Sequence, residues 1–285
     1  MDDAPLHAQR LIAAIAPLGS CLVAYSGGVD SAVVAKGAFL AVGARAIAVT
    51  GISASLASGE LEAAEELAAA IGIAHESLAT NELDRPEYQR NSPDRCFHCK
   101  TELYERLAAL ARERGIGSIL NGANADDLAD FRPGMQAAND FAVRSPLAEC
   151  GLTKPQVRDL ARYWSLAAWD KPATPCLSSR IAYGLSVTPE RLARVDAAEQ
   201  VLRALGLGTI RVRHHEHELA RLEAPLESLA RLCEPSVRGP LVARLRELGF
   251  RYVTLDLEGF RSGSFQQLVP AEDLVRFAPR ETAAS

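Results

Sequence analysis

Several short stretches of this chain have residue types and spacing suited to chemistry. The first is Ser26-Gly27-Gly28-Val29-Asp30-Ser31, between an apolar run ending "VAY" and a stretch of helical character. Glycines let backbone N–H groups turn toward an anion, and the following helix N-terminus adds a positive dipole. The loop from Ala24 through Gly27 and Gly28 is therefore a candidate phosphate cradle, with the Ser26 and Ser31 hydroxyls facing phosphate oxygens. Asp30 among phosphates is tolerable mainly through Mg²⁺. The loop lacks the G-K-[ST] of a Walker A motif and is not G-x-G-x-x-G. The plainer alternative is a tight turn at a strand–helix junction.

A second stretch, "DKPATPCLSSR", sets Cys176 between a proline and two serines, with Arg180 four residues on. A thiolate is the best side-chain nucleophile at neutral pH. A packed small hydrophobe is the alternative, but the flanking residues argue for an irregular polar loop. In "NGANADD", Gly122 allows close backbone approach to a ligand, and Asp126 is placed to reach Mg²⁺–pyrophosphate or orient a substrate. Asn/Asp turn chemistry is the competing account, more so for Asp127. Arg132 in "FRPG" is a candidate to line the same cleft. Arg211 and Arg213 share a strand face in "IRVRHH", because i and i+2 point the same way. Two guanidiniums suit a phosphate; an exposed strand face is the alternative. His215 and His217 of "HHEH" share a face too, and a solvated edge is the simpler reading. Cys96 and Cys99 form a C-x-x-C, the spacing of a redox pair, half a zinc site or part of an iron–sulfur site, with a structural or substrate-lid role as the simpler reading. Cys21, Cys150 and Cys233 read as core or surface.

The elements that must position these residues alternate in period. Strands are expected at 21–25, 45–50, 74–80 and 117–124. Helices are expected at 31–42, 58–72 with Ser58 as N-cap, 99–114, and 153–166 with Thr153 as cap. Residues 81–98 form a polar segment too long for a tight turn. This alternation predicts an α/β fold, a doubly wound parallel sheet over 1–185. Ligands in such sheets sit beyond the carboxyl ends of the strands. The "SGGVDS" loop, "NGANADD" and the start of the Cys176 segment are candidates to fall there. From 186 to 285 the pattern is that of a smaller α+β domain, with helices at 188–205 and 236–248 and strands between and after them. The tail "APRETAAS" is expected to fray.

Composition narrows the setting. At 285 residues, with 48% hydrophobic and 24% charged, the chain has an ordinary soluble balance. No run approaches the roughly 20 apolar residues of a membrane span. The N-terminus carries acid where a signal peptide carries base. Six irregularly spaced cysteines in a long chain do not suggest a disulfide framework, so a reducing cytoplasm is expected. A net charge of −5 opposes nucleic acid as partner without opposing a small anion on local arginines.

"AYSGGVDS" is similar to the PP-loop of the adenylating ATP pyrophosphatases, which cleave ATP between its α- and β-phosphates. Further stretches follow in order: "RCFHCK", "NGANADDLADFRPG", "SPLAECGLTKPQVRDLA", "KPATPCLSSRIAYG" and "DLEGFRSGS". Together they resemble the LarE family of ATP-dependent sacrificial sulfur transferases in nickel-pincer cofactor synthesis, from about residue 8 to about residue 270. The resemblance implies adenylation of the carboxylates of pyridinium-3,5-biscarboxylic acid mononucleotide. It then implies conversion to thiocarboxylates, with Cys176 as sulfur source and dehydroalanine as its residue. It implies ATP and Mg²⁺, with Asp30 on the metal. It assigns the substrate phosphate to Arg211 and Arg213, the adenylate phosphate or thiolate stabilisation to Arg180, and acidic metal positions near subunit contacts to Glu199 and Glu223. Arg261 and Ser262 are candidates to close over the site. A homo-oligomer is implied, with a hexamer among its candidate forms. In some relatives three cysteines are thought to hold an iron–sulfur cluster, a route open here only if Cys96 and Cys99 meet Cys176. Rival readings are another PP-loop enzyme, a tRNA thiolase or amide-forming synthetase, and a nucleotide sensor without chemistry. The chain shows neither a basic RNA-binding module nor a convincing glutaminase domain.

Overall fold

The structure, a computed structural model, describes residues 3–128, 133–172 and 174–261. Arg132, Ser262 and the C-terminal tail lie outside the described residues. The first half runs α1 (Ala4–Ile15), β1 (Cys21–Ala24), α2 (Val29–Val42), β2 (Ala46–Ile52), α3 (Glu60–Ile71), β3 (Ala74–Ala79), α4 (Pro86–Gln89), α5 (Arg95–Glu113) and β4 (Ile119–Leu120). It continues through α6 (Pro133–Asp140), α7 (Pro146–Glu149) and α8 (Lys154–Tyr163). The second half adds α9 (Pro189–Arg203), β5 (Arg211–His215), β6 (Leu219–Glu223), α10 (Leu229–Cys233), α11 (Pro235–Glu247) and β7 (Tyr252–Leu255).

Sheet one has the order β3-β2-β1-β4, and every described pairing in it is parallel. Alternation along β1 divides the interior. Cys21 and Val23 join the core built with α1, α2, α3 and α8, while Leu22 joins the core built with α5 and α6. Both faces are thus covered by helices, which is why the strands read as continuous apolar runs. Sheet two has the order β5-β6-β7, antiparallel then parallel, with its own core from α9, α10 and α11. The fold class is the expected one, a wound parallel sheet of PP-loop type with a smaller α+β unit after it.

Four local expectations need correction. Ser58 does not cap α3: Gly59, at φ +85°, holds the cap position, and the Ser58 hydroxyl donates instead to Asp196 on α9. Helix α5 starts at Arg95, so Cys96 and Cys99 lie in its first turns, and the preceding segment contains α4. Strand β4 has only two residues, because the Asn121 amide leaves the ladder for the Arg144 carbonyl. The solvated edge expected of the histidines holds at exposed His217 but not along β5, where His215 is half-buried. Ile181 and Ala182 cover that edge, the Ala182 amide donating to the His214 carbonyl at 3.0 Å, and His214 is fully buried. Thr153 does begin α8 as expected, its amide donating to Gln156 at 2.9 Å in a capping box.

Candidate active site

The phosphate-type loop is shaped by its own residues. Gly27 takes φ +68°, and a Cβ there would meet the Ala64 Cβ at 3.0 Å. The Ser31 hydroxyl accepts from the Ser26 amide at 3.2 Å and donates to the Gly28 carbonyl at 3.0 Å. The Ser26 and Ser31 hydroxyls are 3.2 Å apart. All of these partners lie within six residues of one another, at the N-terminus of α2, where backbone N–H groups have no helical acceptor.

"NGAN" leaves β4 and presses against this loop. A Cβ on Gly122 would sit 2.8 Å from the Ser31 amide nitrogen and 3.1 Å from the Asp30 carbonyl carbon. Only glycine fits between these two backbones. Asn124 ties the strand ends together, its amide donating to Asp30 at 3.2 Å while its side-chain oxygen accepts from the Asp126 amide at 3.0 Å. Asp126 in turn accepts from the Lys154 backbone at 2.8 Å, and the Lys154 ammonium pairs with Asp30. Lys154 and Asn124 are site residues that sequence reasoning missed. The cue was present, in that Lys154 follows the correctly read cap Thr153 and so stands at the first turn of α8.

The Cys176 loop reaches the same carboxyl edge of sheet one. The Leu177 amide donates to the Ser55 carbonyl at 2.8 Å, three residues past the end of β2. Lys171 pairs with Glu60 on α3 at 2.9 Å. Cys176 itself is exposed, whereas Leu177, Ser178 and Arg180 are buried. The loop carbonyls turn inward onto three buried guanidiniums. Arg180 donates to the Pro175 and Cys176 carbonyls, the latter at 3.1 Å. Arg95 donates to the Ser178 carbonyl and Arg213 to the Ser179 carbonyl, each at 2.9 Å. Tyr88 bridges the Ser55 and Ser178 hydroxyls at 2.7 and 2.5 Å. Ordering each loop residue costs about 1–2 kcal/mol of backbone entropy, which these charge-assisted bonds offset.

The arginines and acids of the second half are placed differently from a solvent-facing phosphate fork. Arg211 and Arg213 are both 6% exposed, which removes the exposed-strand alternative. Burial, with the nearby Arg180, Arg213 and Arg203 guanidiniums, lowers the Arg211 pKa to about 10. Arg213 donates to Glu223 at 2.8 Å. Glu199 is wholly buried and receives Arg180 through both carboxylate oxygens, at 2.9 and 3.2 Å, and also Arg203 and the Val212 amide. Glu223 likewise meets Arg213 and Arg221. Both carboxylates are neutralised by guanidiniums, a poor starting point for a divalent cation. Deleting one member of the Arg180–Glu199 pair would strand a buried charge at a cost of about 3–5 kcal/mol. Arg261 ends the described chain, paired with Glu258 at 2.6 Å.

Cys99 lies within electrostatic reach of two other thiols, Cys96 and Cys176. Burial raises the pKa of Cys99, and negative charge on Cys176, Glu82 and Cys96 adds to the rise against the opposing effect of Lys100. Cys96 is exposed and Cys99 half-buried. Burial also raises Cys21, to about 11, and Cys150; both are inert core thiols, and Cys233 is on the surface. Among the described residues no three His, Cys, Asp or Glu groups converge closely enough to hold a metal ion. Among them, too, no helix is long and apolar enough to cross a membrane.

A parallel sheet wound on both faces, a glycine loop after its first strand and a smaller mixed sheet define an α/β enzyme of PP-loop type. No family model matches the chain. It is 38% identical over 270 residues to the pyridinium-3,5-bisthiocarboxylic acid mononucleotide synthase of Lactiplantibacillus plantarum, covering 94% of this chain and 96% of that one. It is 47% identical over 252 residues to an uncharacterized protein of Synechocystis, covering 88% of this chain and 94% of the relative. An uncharacterized protein of Methanocaldococcus jannaschii is 28% identical over 173 residues, 61% of this chain and 66% of the other. The chain belongs to the LarE family of sulfur transferases, and it is an enzyme.

Proposed function

We propose that this enzyme adenylates the carboxylates of pyridinium-3,5-biscarboxylic acid mononucleotide with ATP and converts them to thiocarboxylates, in nickel-pincer cofactor synthesis. The observation that carries the reading is the position of one exposed thiol, Cys176, on a firmly held loop at the sheet edge that also carries the glycine loop. The relative named for the bisthiocarboxylic product supports the substrate.

In this reading Ala24, Ser26, Gly27, Gly28, Ser31 and Gly122 surround the ATP phosphates. Mg²⁺ would supply charge neutralisation on the phosphates. Asp30 would hold it in exchange for its Lys154 ammonium partner, with Asp126 kept nearby by the Lys154 backbone amide. A substrate carboxylate oxygen attacks the α-phosphorus, and pyrophosphate leaves. The Cys176 sulfur attacks the acyl carbon of the adenylate, giving a thioester and AMP. Loss of the Cys176 Cα proton to a base then breaks the Cβ–S bond. The thiocarboxylate departs with the sulfur and dehydroalanine remains. Arg211 and Arg213 supply positive charge toward the substrate phosphate, and Arg180 and Glu199 support the loop from behind. A homo-oligomer, with a hexamer among its candidate forms, in a reducing cytoplasm completes the proposal. Leu226 and Tyr252, 63% and 59% exposed, offer apolar surface for such contacts.

A second reading has one observation in its favour. Cys96 and Cys176 both lie near enough to Cys99 for their charge to act on its thiol, the neighbourhood an iron–sulfur donor on three thiols would need. The described thiols do not converge as a ligand set, so no step is derived through a cluster.

The test is pyrophosphate release. With ATP, Mg²⁺ and the dicarboxylated pyridinium mononucleotide, the protein should release pyrophosphate only when that substrate is present. ATP bound without release under these conditions would favour the sensor reading.

A further inference from the structure

We infer that Arg180 and Glu199 form a positioning device which aims the Cys176 thiol at the reacting acyl carbon, so that the two half-reactions of the proposed function can be separated by mutation. The inference rests on that proposed reading. It starts from how few ways the Cys176 loop has of holding itself. The loop has no strand ladder and only one helical turn, Leu177–Arg180. Its carbonyls at Pro175 and Cys176 are both taken by one Nη1 of Arg180, which also reaches the Ser179 hydroxyl at 3.0 Å. The other edge of the same guanidinium is locked on Glu199, with both side chains at 0% exposure.

Glu199 is not a passive counter-ion. It also accepts from Arg203 at 3.2 Å on its own helix and from the Val212 amide at 3.1 Å on β5. The carboxylate therefore joins α9 and β5 to the backbone of the nucleophile through one planar, rigid fork. With its carbonyls drawn inward, the loop turns the Cys176 side chain outward, and this matches its exposure beside buried neighbours. Adenylation takes place at a loop held by its own residues and, at Asp30, by Asn124 and Lys154, and none of these partners is Arg180 or Glu199. Sulfur attack alone depends on where Cys176 stands.

The experiment compares Arg180→Lys, Glu199→Gln and Ser179→Ala with the unchanged protein, recording melting temperature, pyrophosphate release and thiocarboxylate formation on the same substrate. Lysine keeps the buried charge opposite Glu199 but cannot serve the carboxylate and two carbonyls together. Thiocarboxylate formed per pyrophosphate released should fall about 10- to 100-fold in Arg180→Lys, the scale of a misplaced reacting group. It should fall about two- to threefold in Ser179→Ala, which removes one weaker acceptor from a half-buried position and leaves the buried pair intact. Glu199→Gln should fall between them. A merely structural role would lower melting temperature and both half-reactions together, and that result would overturn the inference. So would an unchanged ratio in all variants that fold, and Ser179→Ala supplies that ratio if the buried variants do not fold. If the unchanged protein itself releases no pyrophosphate with this substrate, the proposed function is what fails; the positioning role is not what that result measures.

Discussion

The glycine loop after β1 and the loop that carries Cys176 meet at one sheet edge but are built on opposite plans. The first is held mainly by partners within six residues, Ser26, Gly28 and Ser31, with Ala64 and Gly122 packed closely against it and Asn124 and Lys154 reaching it at Asp30. The second is held from far along the chain, by Ser55 after β2, Tyr88 on α4, Arg95 on α5, Glu199 on α9 through Arg180, and Arg213 on β5. A loop made from its own residues can bind a ligand wherever the fold sets it down. A loop made from the whole molecule can place one atom, and the second half of the chain matters chiefly for that.

The sharpest way to break the first plan is a single methyl group. Gly122→Ala sets a Cβ against the Ser31 amide at 2.8 Å, and neither backbone can give way without moving the phosphate loop. Pyrophosphate release should fall by about 100-fold, since small displacements of reacting groups cost that much. Overpacking would cost about 1–3 kcal/mol of stability. Steady-state pyrophosphate assays and a denaturant curve check both; near-normal release would mean the close approach has no functional consequence.

Acid separates the two plans more gently. His214 lies behind the Cys176 loop, its carbonyl accepting from Ala182. Burial lowers its pKa from 6.5 to about 4, with Arg194, Arg191 and His215 adding to the fall. The unfolded chain therefore takes this proton first. Stability present above pH 6.5 is drained as pH falls toward 4, by about 1–3 kcal/mol. Denaturant midpoints between pH 7.5 and 5 should decline, and His214→Asn should flatten the decline. A midpoint indifferent to pH in the unchanged protein would contradict this.

The same contrast explains what could be read in advance. The glycine loop, the parallel sheet and the Thr153 cap were legible because local residues decide them. The buried state of His214 was not, because a distant segment decides it, Ile181 covering β5; the earlier start of α5 had a local cue, the Arg95 and Phe97 amides donating to the Ser92 and Asp94 carbonyls just before the helix. Cys176 stood out by its neighbours Pro175 and Ser178. The roles of Arg95 and Glu199 in holding it left no local mark, since each lies on a helix with ordinary spacing. Lys154 was missed because its partner Asp30 is 124 residues away.

The central claim is that Cys176 gives up its own sulfur. Intact mass after incubation with ATP, Mg²⁺ and the dicarboxylated pyridinium mononucleotide tests it most directly. The account predicts a loss of about 34 Da, one H₂S, mapped to residue 176 as dehydroalanine and absent from Cys176→Ala. Thiocarboxylate product with unchanged protein mass would contradict it and move the sulfur source to an external donor through Cys96 and Cys99.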